Sequence, residues 1–125
     1  MNHEDRRRRR SVDPLVALHY QLAHARAVGA QEAIVVADAS GVVVAGAGSW
    51  AACEELAAYA PLLASGGSVP SADASRICVL RGETAVTSFE VDNQEVLVCV
   101  RGGVGRGQTL EAAAFGVARI LRAAA

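Results

Sequence analysis

Ala33-Ile34-Val35-Val36-Ala37-Asp38-Ala39-Ser40-Gly41-Val42-Val43-Val44-Ala45 is a pair of apolar, β-branched runs split by four residues of the kind that make turns. The pattern predicts a β-hairpin, with Glu32–Ala37 as its first strand and Val42–Gly46 as its second. Ala33, Ile34, Val35 and Val36 are apolar at four successive positions, so both faces of the first strand are expected to be covered and the strand to lie centrally in its sheet. The second is expected beside it, nearer an edge.

Upstream, Val12, Leu15, Val16, His19, Leu22 and Ala23 recur at helical spacing, which predicts a helix over Ser11–Ala27 with Ser11 as cap and Gly29 as its stop. Downstream, Ser49 opens a second helix, Trp50–Ala64, with Ala52, Leu56, Tyr59 and Leu63 on one stripe. Pro61 sits late in it and is expected to kink its last turn or to end the helix near Tyr59 or Ala60. A Gly/Ser/Pro-rich stretch, residues 65–74, reads as a surface loop. Three strand-like runs follow, Arg76–Arg81, Thr84–Val91 and Gln94–Arg101, joined by Gly82-Glu83 and Asp92-Asn93, and two-residue links imply an antiparallel meander. Thr109–Ala124 closes the chain as a helix with Leu110, Ala113, Ala114, Val117, Ile120 and Leu121 on its inner stripe. The order α-β-β-α-β-β-β-α makes this an α+β chain with one five-stranded antiparallel sheet.

Composition bounds the function. The chain has 125 residues, enough for one core and too few for two enzyme-sized domains. It is 52% hydrophobic but 4% aromatic, so Ala, Val, Leu and Ile must fill that core. No apolar run is long enough to cross a bilayer and no secretory leader pattern is present, which places the protein in the cytoplasm by expectation. Cys53, Cys78 and Cys99 are odd in number, widely spaced and set among apolar neighbours, as reduced core residues are.

All twelve basic residues are Arg, which with the abundant Ala and Gly points to a GC-rich, bacterial genome. Residues 1–10 hold five Arg against Glu4 and Asp5, a net of +3, so with −1 overall the rest of the chain sums to −4. The division is into an Arg-rich leader, residues 1–10, and a folded domain, residues 11–125. The run Arg6–Arg10 could hold an acidic partner, an anionic headgroup or phosphates, yet nothing aromatic is interleaved with it and the body behind it is acidic, so specific nucleic-acid binding is disfavoured and an inert or weakly electrostatic tail is the expected reading, ahead of membrane or protein docking.

Catalytic patterns fail on chemistry. Gly102-Gly103-Val104-Gly105-Arg106-Gly107-Gln108-Thr109 matches a phosphate-binding loop except that Gln108 replaces the Lys that holds the phosphates. An antiparallel meander also denies it the parallel βαβ setting, and too little chain follows for an acidic strand to hold magnesium. His19 and His24 are five apart on a helix, roughly 140° around it, which is no metal spacing. Glu54/Glu55 and Asp92/Glu95 read as solvated faces and turns. No catalytic residue, cofactor or metal ligand is expected.

Element order, the Asp-x-x-Gly hairpin of residues 33–45 and the small-residue helix Glu54-Glu55-Leu56-Ala57-Ala58-Tyr59-Ala60 together resemble the roadblock/LC7 family over residues 12–123. The resemblance implies a sheet of order 2-1-5-4-3 and a homodimer, or a pairing with a paralogue, through the middle helix and third strand. The dimer face it implies is Trp50, Cys53, Leu56, Tyr59, Leu63, Arg76, Cys78 and Leu80. The function it implies is a non-catalytic regulator or scaffold that binds a small Ras-like GTPase or a multiprotein complex. The Arg-rich leader and the length of the Gly102–Gly107 loop depart from the family pattern. A GAF or profilin-like sensor shares nearly the same element string and is the alternative, with a small ligand held near Cys78, Phe89 and Cys99.

Overall fold

The computed structural model describes residues 13–65 and 74–124; the Arg-rich leader, residues 1–10, and the expected cap Ser11 lie outside them. Its elements are α1 (Pro14–Gly29), β1 (Ala33–Asp38), β2 (Val43–Gly48), α2 (Trp50–Ser65), α3 (Ala74–Glu83), β3 (Thr84–Val91), β4 (Gln94–Arg101) and α4 (Arg106–Ala124). The four strands form one antiparallel sheet of order β2-β1-β4-β3. Helices α1 and α4 cover one face, α2 and α3 the other.

The expected five-stranded sheet is corrected to four strands, and the order 2-1-5-4-3 to 2-1-4-3, because Arg76–Arg81 belongs to helix α3. In a strand, Ile77 and Val79 would share one face and Cys78 and Leu80 the other. Instead Ile77 and Leu80 are buried while Cys78 and Val79 face outward, a spacing of three that only a helix produces. Gly82-Glu83, read as a turn between strands, is the last turn of that helix, and the chain enters β3 directly.

The hairpin of residues 33–45 folds as its sequence predicts. Ala33 to Ala37 are all fully buried, because β1 lies between β2 and β4 with helices on both faces. Ala33, Val35 and Ala37 join Leu97 and Cys99 of β4 beneath α2 and α3. Ile34 and Val36 join Val98 and Val100 beneath α1 and α4. Burial of the Val, Leu and Ile side chains among them contributes about 1.5–3 kcal/mol each, which makes this strand pair the centre of the fold. The turn is closed by the Asp38 carboxylate, which accepts hydrogen bonds from the backbone N–H of Ser40 (2.9 Å) and of Val42 (3.0 Å).

Helix α2 starts where Ser49 predicts, its hydroxyl accepting the Ala52 N–H at 3.1 Å. It does not stop before Pro61 but runs to Ser65. Pro61 offers no N–H to the Ala57 carbonyl, and the β1–β2 turn packs at that spot: a Cβ on Gly41 would lie 3.2 Å from Ala57 O. Gly41 also has φ of 83°, so the turn needs a glycine there twice over. The β3–β4 link is the expected two-residue turn, with Asp92 and Asn93 both left-handed at φ 52° and 64°.

Two helix readings change. The buried stripe of α1 is Leu18, Leu22 and Ala25, so Leu15, Val16, His19 and Ala23, read as its inner face, are exposed. Gly29 is the last residue of α1, and Ala30 takes the left-handed conformation beyond it. Gly29 is small for a packing reason, since a Cβ there would come within 1.8 Å of Gln31 Oε1. Helix α4 begins at Arg106, and Thr109, read as a cap, lies inside it with its N–H bonded to Gly105 O.

Candidate functional site

The residues expected at a dimer face divide into two groups. Cys53, Leu56, Leu63 and Leu80 turn inward and fill the core between the sheet and the α2/α3 layer. Trp50 is 61% exposed at the start of α2, Tyr59 and Arg76 are half-buried, and Cys78 is exposed on α3. Beside Cys78, Val79 adds a half-exposed apolar side chain, on a helix where the sequence predicts a strand. Trp50 on α2 and Cys78 and Val79 on α3 thus face solvent, while Tyr59 packs partly buried against the core cluster.

At one end of the layer four elements converge on Arg101. Its guanidinium, on a side chain 15% exposed, reaches Glu55 of α2 and Glu83 of α3 at 3.1 Å each, and Glu32 before β1 at 3.4 Å. Arg76 of α3 forks onto the same Glu55 carboxylate, with Nε 3.2 Å from Oε2 and Nη2 on Oε1. The Arg76 hydrogen bond, aided by the nearby charge of Arg76 and Arg101, holds the Glu55 carboxyl below its ordinary value of 4.5. In the sequence Glu55 reads as a plain solvated residue. No pattern along the chain announces this cluster, because its members come from four separated segments and meet only through the sheet.

The chemistry of the remaining candidates is quiet. Burial pushes the Cys99 thiol up to about 12 and raises that of Cys53, whose Sγ lies 3.6 Å from Ala47 O, so both remain protonated and unreactive at neutral pH. Cys99 lies under α2 and α3, Phe89 packs on the opposite face of the sheet, and Cys78 points to solvent, so the three do not line a common ligand space. His19 Nδ1 sits 3.1 Å from Gly46 O, while His24 borders a groove of about 410 Å³ between α1 and α4. Among the described residues no three His, Cys, Asp or Glu side chains are grouped to hold a metal.

The glycine-rich segment is pinned as a structural connection. Gln31, the one buried polar side chain among the described residues, donates from Nε2 to Val104 O at 3.1 Å. Arg106, the cation a phosphate would need, donates to Gly103 O and Gly82 O. Every strand pair is antiparallel, as the argument against a phosphate-binding loop requires. No helix among the described residues is long and apolar enough to cross a membrane.

No protein-family model and no curated protein matches the chain. Among solved structures it is similar to Myxococcus xanthus MglB, at 10% identity with a TM-score of 0.58, over 90% of this chain and 93% of that one. It is likewise similar to the gliding protein MglB from Thermus thermophilus, at 17% identity with a TM-score of 0.58, over 89% and 93% of the two chains. With its central hairpin, its meander and its two helical layers, the chain has a roadblock/LC7-type fold.

Proposed function

We propose that this protein is a non-catalytic, dimeric regulator or adaptor whose partner is a small Ras-like GTPase, working in the cytoplasm of a bacterium. The roadblock/LC7-type fold carries the reading. The exposed side chains of α2 and α3 support it: the large apolar side chains of Trp50 and Val79 stand in water, and such residues anchor interfaces when a partner covers them. The dimer face is accordingly taken to be Trp50, Tyr59, Arg76, Cys78 and Val79, with Cys53, Leu56, Leu63 and Leu80 supporting it from within.

Light scattering after size exclusion is expected to return twice the chain mass, with or without residues 1–10. The double substitution Trp50→Arg and Val79→Arg is expected to reduce that to one chain while leaving the melting temperature within a few degrees, as exposed sites allow. The dimer is then mixed with purified small Ras-like GTPases from the same genome, each loaded with GDP or a non-hydrolysable GTP analogue. A stable complex in one nucleotide state is the expected result. A monomer at all concentrations would overturn the dimer, and failure of every GTPase in both states would overturn the partner.

A further inference from the structure

We infer that the groove between α1 and α4 is a binding site for a small, flat, neutral heterocycle that presents a ring N–H beside a ring carbonyl, as uracil and hypoxanthine do. The inference stands apart from the GTPase reading, which concerns α2 and α3 on the opposite face of the sheet. An unmet hydrogen bond carries it. Gln31 is 3% exposed and its Nε2 donates to Val104 O, but its buried Oε1 has no donor among the described residues. A buried acceptor without a donor costs the fold free energy, and each one in a native chain calls for an explanation.

That oxygen lies at the wall of the groove. A Cβ on Gly29 would collide with Gln31 Oε1 and with Thr109 Oγ1 alike, and Gly29 and Thr109 both line the space of about 410 Å³. Gly29 thus places no side chain over Oε1, and the Thr109 hydroxyl stands beside it. A helical threonine can also turn its hydroxyl back on the carbonyl four residues earlier, here Gly105 O, and that turn opens Oε1 to an incoming donor.

The lining sets the class of ligand. Oε1 can only accept, so the ligand must bring an N–H or O–H. An ammonium group would bring one together with a charge, but among the described residues no Asp or Glu lines the groove to balance it. Gln21, His24 and Gln108 offer further hydrogen-bonding groups from both helices, and Ala25 and Ala112 small apolar surface. Val28 and Val104, 76% and 87% exposed, add apolar side chains that a bound ring would cover. The two helices approach closely, Gln21 against Gly116 and Thr109 against Gly29, so the space between them is a slot that admits a flat ring edge-on. The ring N–H meets Gln31 Oε1, and the neighbouring carbonyl accepts from the Gln108 carboxamide. Apolar walls with a few placed polar groups are how small-molecule sites are built.

The test is titration of the full chain with uracil, hypoxanthine and dimethyluracil, in which methyl groups replace both ring N–H hydrogens, up to about 5 mM, read from the NMR signals of the Gln31 side-chain amide. Saturable shifts with uracil or hypoxanthine are expected, with dimethyluracil at least about tenfold weaker because it leaves Oε1 unpaired. Ala112→Leu fills the slot from an exposed position on α4 and should weaken binding by at least about tenfold, with the melting temperature of the free protein little changed. Uridine titrated alongside names the form held, a nucleoside if it binds more tightly than uracil and a free base if less. The inference is overturned if neither uracil nor hypoxanthine moves the Gln31 signals saturably. It is equally overturned if dimethyluracil binds as well as uracil, or if Ala112→Leu binds as well as the wild type.

Discussion

Leu56→Ala is expected to destabilise the fold by about 3–4 kcal/mol and to lower its melting temperature by at least about 10 °C. Leu56 is fully buried on the inner side of α2, in one cluster with Val35, Ile77, Leu80, Leu97 and Cys99. Removing its isobutyl group forfeits transfer energy and leaves a cavity between β-strands and two helices, and α2 and α3 can close it only partly. Trp50→Ala, at an exposed site, should cost under about 1 kcal/mol. The pair of substitutions separates a core role for Leu56 from the interface role that its position on a roadblock-like middle helix implies. Urea unfolding and light scattering on both variants make the measurement. A Leu56→Ala protein that loses less than about 1 kcal/mol but halves its mass would return Leu56 to the interface.

That comparison shows what a sequence pattern discloses. The stripe Ala52, Leu56, Tyr59 and Leu63 told that α2 has a covered face, and the structure covers it. What periodicity cannot tell is whether the cover is the chain's own sheet or a second molecule, since both are apolar. The hairpin of residues 33–45 was legible because it carries two signals that agree, the unbroken apolar run and a turn whose Asp38 and Gly41 each have a specific job. Strands β3 and β4 were legible for the same reason, through Asp92-Asn93.

Arg76–Arg81 misled because local preference and tertiary packing disagree there. Ile77 and Val79 are strand formers by propensity, and in six residues a spacing of two and a spacing of three are hard to tell apart. The helix prevails in the structure, where Ile77 and Leu80 fill the core under α2 and Arg76 reaches Glu55 from the same turn. In α1 the alternatives were two apolar stripes on one helix: Leu15 and Val16 lie outside, Leu18 and Leu22 inside. A helix with apolar residues on both stripes does not declare which one faces the sheet.

Arg101→Gln is expected to cost about 2 kcal/mol at neutral pH, and the loss should shrink on acidification. Arg101 touches Glu32, Glu55 and Glu83 at once, on a side chain largely withdrawn from water. Without its charge three carboxylates lose a shared cation at the junction of β1, β4, α2 and α3, while Arg76 still pairs with Glu55. The sign of the pH effect follows from Glu55. Its carboxyl is held below the ordinary value in the folded protein, first by the Arg76 hydrogen bond and further by Arg101, so its share of stability is present above that value and lost as pH falls through the folded one. Wild-type stability should therefore decline as pH drops below about 4.5, and protonation should also relieve the repulsion left in the variant. Urea unfolding of both proteins at neutral pH and near pH 3 should show the gap falling from about 2 to under about 1 kcal/mol. A gap that stays constant with pH would mean that Arg101 stabilises through its methylene packing, and no gap at all would mean that the four-element junction holds without it.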